Sequence, residues 1–112
     1  MFTANNSTTE LSEAGTDTAI LSVGATEQCG PHLPLHLDSL VAEYYAWAWG
    51  KVLGAYVLPT MPFNTSEEHA FFKGTVSLSP ATVMLMLEEI VEGLRGQGFR
   101  KQVLTVGHGG SL

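Results

Sequence analysis

Side chains that bind divalent metal ions are concentrated in residues 24–38, which read G-A-T-E-Q-C-G-P-H-L-P-L-H-L-D. Glu27, Cys29, His32, His36 and Asp38 fall within this stretch and offer oxygen, nitrogen and sulfur donors. A divalent metal held by such donors can lower the pKa of water to about 7 and so generate a hydroxide nucleophile. The spacing of these residues therefore indicates a candidate metal centre with hydrolytic chemistry.

The same residue types also have simpler interpretations. Carboxylates and histidines on polar loops are often solvated, and a lone cysteine such as Cys29 is more often a small buried apolar residue than a ligand. Farther along, Glu67, Glu68 and His69 lie in a long polar stretch, where a solvated surface is the favoured interpretation. Spacing alone leaves both interpretations of residues 24–38 open.

Three short segments predict the strands that position these side chains: Ala19–Val23, Tyr56–Leu58 and Lys101–Val106. The first segment is apolar apart from Ser22, which is typical of a strand buried on both faces of a parallel sheet. One helical pattern lies between each pair of strands, so the element order is βαβαβ. This order predicts an α/β fold with a parallel sheet of about three strands, flanking helices and right-handed crossovers.

The two helices are predicted from apolar stripes and from their end signals. The first has Asp38 or Ser39 as its N-cap and ends at Gly54, and the second begins at Ser79 and stops near Gly96. Apolar residues at helical spacing predict their core faces. These are Val41, Tyr44, Tyr45, Ala48 and Val52 in the first helix, and Val83, Met84, Leu87, Ile90, Val91 and Leu94 in the second.

A strand order of 2-1-3 would place the carboxyl ends of the first and third strands side by side. Ligand sites in open parallel sheets lie at such ends. The donor-rich stretch follows Val23 at the end of the first strand, and His108 follows Gly107 at the end of the third. We therefore expect His108 to approach the donors of residues 24–38.

Composition and charge limit the classes of protein to which the chain can belong. The 112 residues are enough for one domain, predicted at residues 17–112 after a flexible N-terminal arm at residues 1–16. The net charge of −6, with only five Lys and Arg, argues against nucleic acid and against an anionic membrane surface as partners. No apolar run is long enough to span a bilayer. The N-terminus lacks signal-peptide features and there is a single cysteine, so we expect a cytoplasmic protein.

Three ordered segments resemble those of the creatininase (creatinine amidohydrolase) family. Residues 23–38 are similar to the family segment VGSTEQHGPHLPLxTD, and residues 66–78, S-E-E-H-A-F-F-K-G-T-V-S-L, to SxEH…FPGTxSL. Residues 98–110 are similar to GFR…VNGHGGN. The likeness covers Ala19 to Ser111, and family members are more than twice as long. We therefore expect the chain to correspond to the N-terminal half of such an enzyme.

The resemblance implies a three-layer α/β half-domain and metal-dependent hydrolysis of a C–N bond in a cyclic amide, formamide or small peptide. It implies metal-ligand roles for Glu27, Asp38 and His108, with Asp38 bridging two ions, and a catalytic or substrate-side role for His32. Members often form hexamers, so a homo-oligomer is expected.

Two departures from the family pattern lead to a second hypothesis. Cys29 stands where the family has a histidine ligand, and its softer thiolate favours zinc over manganese. His36 is a possible substitute ligand, although a solvated histidine is the favoured interpretation. The family's later segment HAGExETS, with a glutamate ligand and a histidine, does not occur in these residues. The alternative is therefore a catalytically degenerate domain that acts as an oligomeric or partner-binding module.

Overall fold

The computed structural model describes residues 1–107. Within this range, four strands form a parallel sheet in the order β1-β3-β2-β4. The elements are β1 (Phe2–Thr3), α1 (Thr8–Ala14), β2 (Thr18–Val23), α2 (Leu37–Leu53), β3 (Tyr56–Val57), α3 (Pro80–Gly96) and β4 (Lys101–Val106). The α/β class is confirmed. The first, second and third predicted strands correspond to β2, β3 and β4, and their order in the sheet, β3-β2-β4, is the predicted 2-1-3 order.

The central strand β2 is buried on both faces, as its apolar run predicts. Because side chains alternate along a strand, Ala19 and Leu21 pack with Leu94 and Phe99 on the α3 face. Ile20 points the other way and packs with Ala46, Ala55 and Val57. The sheet therefore lies between α2 and α3, and its longest pairing joins β2 to β4, from Thr18 opposite Lys101 to Val23 opposite Val106.

The predicted core face of α2 is wrong. Its buried residues are the small ones, Ser39, Ala42, Ala46 and Gly50, whereas Tyr44 is 71% exposed and Val52 is 76% exposed. The cause is a close approach between helix and sheet. A Cβ atom on Gly50 would collide with Val57 Cγ2, and one on Gly24 would collide with the Cα of Ser39. At this separation only small residues fit, so the large apolar residues of α2 lie on its outer surface.

The predicted N-cap of α2 is also wrong. The helix begins at Leu37, and His36 occupies the cap position without a side-chain capping bond. Asp38 lies inside the first turn, where its negative charge interacts favourably with the helix dipole. Ser39 is buried, and its hydroxyl donates to the Ala25 carbonyl at 3.2 Å. This bond ties the start of α2 to the chain that leaves β2.

The predicted start of α3 is confirmed. Ser79 Oγ accepts a hydrogen bond from the Thr82 backbone N–H at 3.2 Å, and Pro80 occupies the first helical position. The predicted apolar stripe is buried or partly buried against the sheet except at Met84, which is 57% exposed. Among residues 1–107, no helix is both long and apolar enough to cross a membrane.

Two short elements occur within the predicted N-terminal arm. Strand β1 extends the sheet, with Phe2 N–H donating to the Ala55 carbonyl at 2.9 Å. Helix α1 begins with a capping box in which Ser7 and Glu10 each accept a hydrogen bond from the other's backbone N–H. The domain boundary between residues 16 and 17 stays a prediction.

Because Gly24 lies against the backbone of α2, we expect Gly24→Ala to lower the free energy of unfolding by about 1–3 kcal/mol, the usual range for overpacking. Gly93 is the matched control, since it lies within α3 and a Cβ there meets nothing within 4 Å. Gly93→Ala should be neutral or stabilise the fold by up to about 1 kcal/mol. Urea unfolding measures both variants, and equal effects would contradict the close approach.

Candidate metal centre

The first loop (residues 24–36) leaves the carboxyl end of β2 and folds back on itself. Glu27 N–H donates to the Leu35 carbonyl at 3.2 Å, and this bond closes the loop. The Glu27 side chain points inward and its residue is only 5% exposed. A carboxylate that is this deeply buried requires compensation by hydrogen bonds or positive charge. Glu27 is therefore the central donor of the candidate site.

The first turn of α2 lies against the end of β4. Gly107 N–H donates to the Val23 carbonyl at 3.0 Å, which continues the β2–β4 pairing past the strand. A Cβ on Gly107 would collide with the Asp38 carbonyl oxygen and lie 2.8 Å from the Ala42 nitrogen. Position 107 therefore has no room for a side chain. The backbone that leads to His108 thus lies against the turn that carries Asp38.

Cys29 lies within electrostatic reach of both predicted carboxylate ligands. Its half-buried thiol lies 3.5 Å from the Glu27 carbonyl oxygen, to which it donates a weak hydrogen bond. Burial raises the pKa of the Cys29 thiol, and the negative charges of Asp38 and Glu27 raise it further. All three effects disfavour the thiolate, and a bound cation would counteract each of them.

The structure brings some of the predicted site residues together and leaves others apart. Glu27, Cys29 and Asp38 share the carboxyl end of the sheet, whereas His32 and His36 are exposed. His108 lies outside the described residues. Among residues 1–107, no three His, Cys, Asp or Glu side chains are grouped tightly enough to hold a metal ion. The ligand roles predicted for these residues therefore stay predictions.

His69 contacts the site, although the sequence favoured a solvated position for it. Its Nε2 atom lies 3.9 Å from Glu27 Oε2, and its Nδ1 atom lies 2.7 Å from Gln28 Nε2. Glu67 and Glu68 are exposed, as predicted. Helical or strand periodicity could not identify His69, because it lies on a short 3-10 helix, Glu67–His69, with no repeating pattern. The available signals were the length of that segment and its resemblance to the family stretch SxEH.

His69 is part of the second loop (residues 58–79), which is fastened to the first loop by several hydrogen bonds in addition to that between Gln28 and His69. Val76 N–H donates to the Thr26 carbonyl at 2.9 Å, and Thr26 Oγ1 donates to the Pro62 carbonyl at 2.8 Å. Gln28 N–H donates to Thr75 Oγ1 at 3.0 Å. The side chain of the buried Asn64 donates to the Gly24 carbonyl at 3.3 Å. These bonds fix the position of the second loop over Glu27.

Comparison with known proteins identifies the family. A family model described as creatinine amidohydrolase matches residues 4–112. The chain belongs to the creatininase family. It is 36% identical over 100 residues to mycofactocin precursor peptide peptidase of Mycolicibacterium smegmatis, an alignment that covers 83% of this chain and 40% of that protein. It is 31% identical over 100 residues to creatinine amidohydrolase of Pseudomonas putida, covering 85% and 38%.

Solved structures agree with this assignment. A crystal structure of creatinine amidohydrolase superposes on the chain with a TM-score of 0.87 at 30% identity, covering 97% of this chain and 46% of that one. The chain thus spans less than half the length of these relatives. The creatininase-like α/β fold predicted from the sequence is confirmed.

The chemistry of the predicted donors, rather than their spacing among residues 1–107, suits a divalent cation. The buried Glu27 carboxylate and the Asp38 carboxylate lie near enough to the Cys29 thiol to raise its pKa, and oxygen and sulfur donors together suit zinc. Of the candidate donors in residues 24–38, these three share the carboxyl end of the sheet, whereas His32 and His36 are exposed. A closed centre would therefore take a further ligand, and the backbone at Gly107 leads to His108.

We expect the raised pKa of Cys29 to slow its alkylation. In metal-free protein, the rate of reaction with iodoacetamide should rise with pH through a midpoint above the ordinary thiol value of about 8.5, because only the thiolate reacts. Asp38→Asn removes one of the negative charges and should shift the midpoint downward. Glu13→Gln is the control, as it removes a charge outside the site and should change nothing. A midpoint at or below 8.5 in the wild type would contradict the site's negative field.

Proposed function

We propose that this chain is the metal-binding part of a creatininase-type amidohydrolase that cleaves a C–N bond in a cyclic amide, formamide or small peptide. The observation that carries the proposal is the buried carboxylate of Glu27 at the carboxyl end of β2, with the charges of Glu27 and Asp38 near enough to raise the pKa of the Cys29 thiol. Its relatives include a creatinine amidohydrolase and a peptide peptidase, which supports this substrate class.

Each predicted ligand has a distinct role in this proposal. Glu27 and Asp38 supply the anionic oxygens, His108 supplies a nitrogen, and Cys29 replaces the family's histidine. A divalent metal bound there would supply a Lewis acid and activate water at neutral pH. The protein must exclude bulk water from the site, and the second loop contributes by covering Glu27.

The identity of the metal follows from the donor chemistry. One solved relative is described as a manganese creatininase and another as a mutant creatininase of Zn–Zn type, with a TM-score of 0.85 each. In this chain, a sulfur donor at Cys29 favours the softer ion. We therefore assign zinc ahead of manganese.

His32 is the proposed catalytic or substrate-side residue. Its position on the exposed part of the first loop supports contact with an incoming substrate, because the side chain is open to solvent and joined to the donor stretch. This role suits binding or proton transfer at the mouth of the site.

A specific observation favours the alternative of a non-catalytic module. The outer face of α2 exposes large apolar residues that are normally covered by another protein surface. These are Leu40, Tyr44, Tyr45, Trp47, Trp49 and Val52. A homo-oligomer, or another partner on this face, would bury them. Metal content distinguishes the two functions, because only the hydrolase requires a bound metal.

We expect near-stoichiometric zinc in protein purified without chelators. Asp38→Ala removes the predicted bridging carboxylate and should lower the metal content at least tenfold, because a first ligand is lost. Plasma mass spectrometry measures metal per chain. Glu43→Ala, on the exposed side of α2, is the control and should retain the metal. Absence of metal in the wild type, with none taken up on titration, would contradict the proposal and leave the partner-binding module.

Restoring the family's ligand should change the metal preference. We expect Cys29→His to raise the affinity for manganese relative to zinc by about tenfold or more, since imidazole is a harder donor than a thiolate. Competition between the two ions, followed by calorimetry, measures this ratio. Cys29→Ser tests whether any small polar group suffices. An unchanged ratio in Cys29→His would show that Cys29 is not a ligand.

A further inference from the structure

The side chains of Gln28 and His69 form a hydrogen-bonded chain between the two loops. The backbone N–H of Gly30 donates to Gln28 Oε1 at 2.9 Å. Because an N–H can only donate, this bond requires an oxygen at that position and so fixes the orientation of the Gln28 amide. The amide nitrogen then faces His69 Nδ1 at 2.7 Å.

This arrangement determines which ring nitrogen of His69 carries hydrogen. The amide nitrogen of Gln28 is a donor, so His69 Nδ1 must accept and cannot be protonated. In the neutral ring the hydrogen is therefore on Nε2. Nε2 lies 3.9 Å from Glu27 Oε2, which is close enough for an electrostatic contact but too far for a hydrogen bond, and the Glu27 side chain is only 6% exposed.

We propose that Gln28 and His69 are a positioning pair for the metal ligand Glu27: Gln28 sets the tautomer of His69, and the polar Nε2–H of His69, 3.9 Å from Oε2, orients the Glu27 carboxylate electrostatically. This role rests on the proposed function of the site. Ligands of metal ions commonly depend on polar partners outside the coordination shell, whose loss costs about 10–100-fold in metal affinity. Neither residue is itself assigned as a ligand.

The local structure holds both members of the pair in place. Gln28 N–H is fixed to Thr75 Oγ1 at 3.0 Å, so the side chain projects from an anchored backbone. His69 N–H donates to the Ser66 carbonyl at 3.1 Å, and its ring lies 6.0 Å from that of Phe72. Preorganised groups of this kind orient a ligand without further loss of side-chain freedom.

The first experiment determines the tautomer directly and does not need a metal. Long-range ¹H–¹⁵N spectra of metal-free protein, recorded above the ordinary histidine pKa of about 6.5, should show His69 with its hydrogen on Nε2. The exposed His32 and His36 serve as internal references. In Gln28→Glu, a carboxylate faces Nδ1 and accepts, so a hydrogen should appear on Nδ1. A wild-type ring with hydrogen on Nδ1, or an unchanged tautomer in Gln28→Glu, would overturn the pair.

The second experiment tests the action of His69 on the metal ligand. His69→Gln places an amide N–H near the position of Nε2, whereas His69→Asn places it near Nδ1. We expect zinc affinity to fall 10–100-fold in His69→Asn and less than tenfold in His69→Gln. Variants are compared after their urea midpoints are shown to match the wild type. Equal losses in the two variants would overturn the positioning role.

The two experiments separate this inference from the function on which it rests. If the wild-type chain takes up no zinc, the proposed function fails, and the spectra still decide whether Gln28 sets the tautomer of His69. If zinc binds and both His69 variants bind it as tightly as the wild type, the function stands and the positioning role is contradicted.

Discussion

The close approach between α2 and the carboxyl ends of β2 and β4 is the constraint on which the rest of the structure depends. Gly24 and Gly107 leave room for the first turn of the helix, and Ser39 and Ala42 are small enough to fill it. Van der Waals contact at this distance tolerates no added methyl group on either side. The approach brings Asp38 to the edge of the sheet where Glu27 is buried.

Polar contacts, rather than apolar ones, then determine the shape of the site. The two loops carry backbone groups that no strand can satisfy, and side chains such as those of Thr26, Asn64 and Thr75 supply the missing partners. The apolar clusters lie elsewhere, between β2 and α3 on one face of the sheet and between β2, β3 and α2 on the other. This separation permits a buried carboxylate without weakening the core, because the loops are held by directional bonds of their own.

The sequence predicted the features that have a strong local signal. The apolar run of β2 and the Ser-Pro start of α3 identified those elements, and the family-like segments identified the fold. The buried face of α2 could not be found in this way, since alanine, serine and glycine leave no apolar stripe. Residues 7–10, S-T-T-E, carry the capping-box pattern that marks the start of α1. The contact of His69 with Glu27 depends on loop geometry, which spacing does not encode.

The pairing of Thr18 with Lys101 has a consequence for how the chain folds. Strands β2 and β4 are neighbours in the sheet, yet α2, β3 and α3 all lie between them in sequence. Closing so long a segment costs chain entropy before the strand pairing can form and stabilise the fold. Parallel sheets of this kind therefore form slowly. During synthesis, β2 and α2 are made long before β4. The candidate site, which needs both strand ends, is therefore among the last parts of the molecule to assemble.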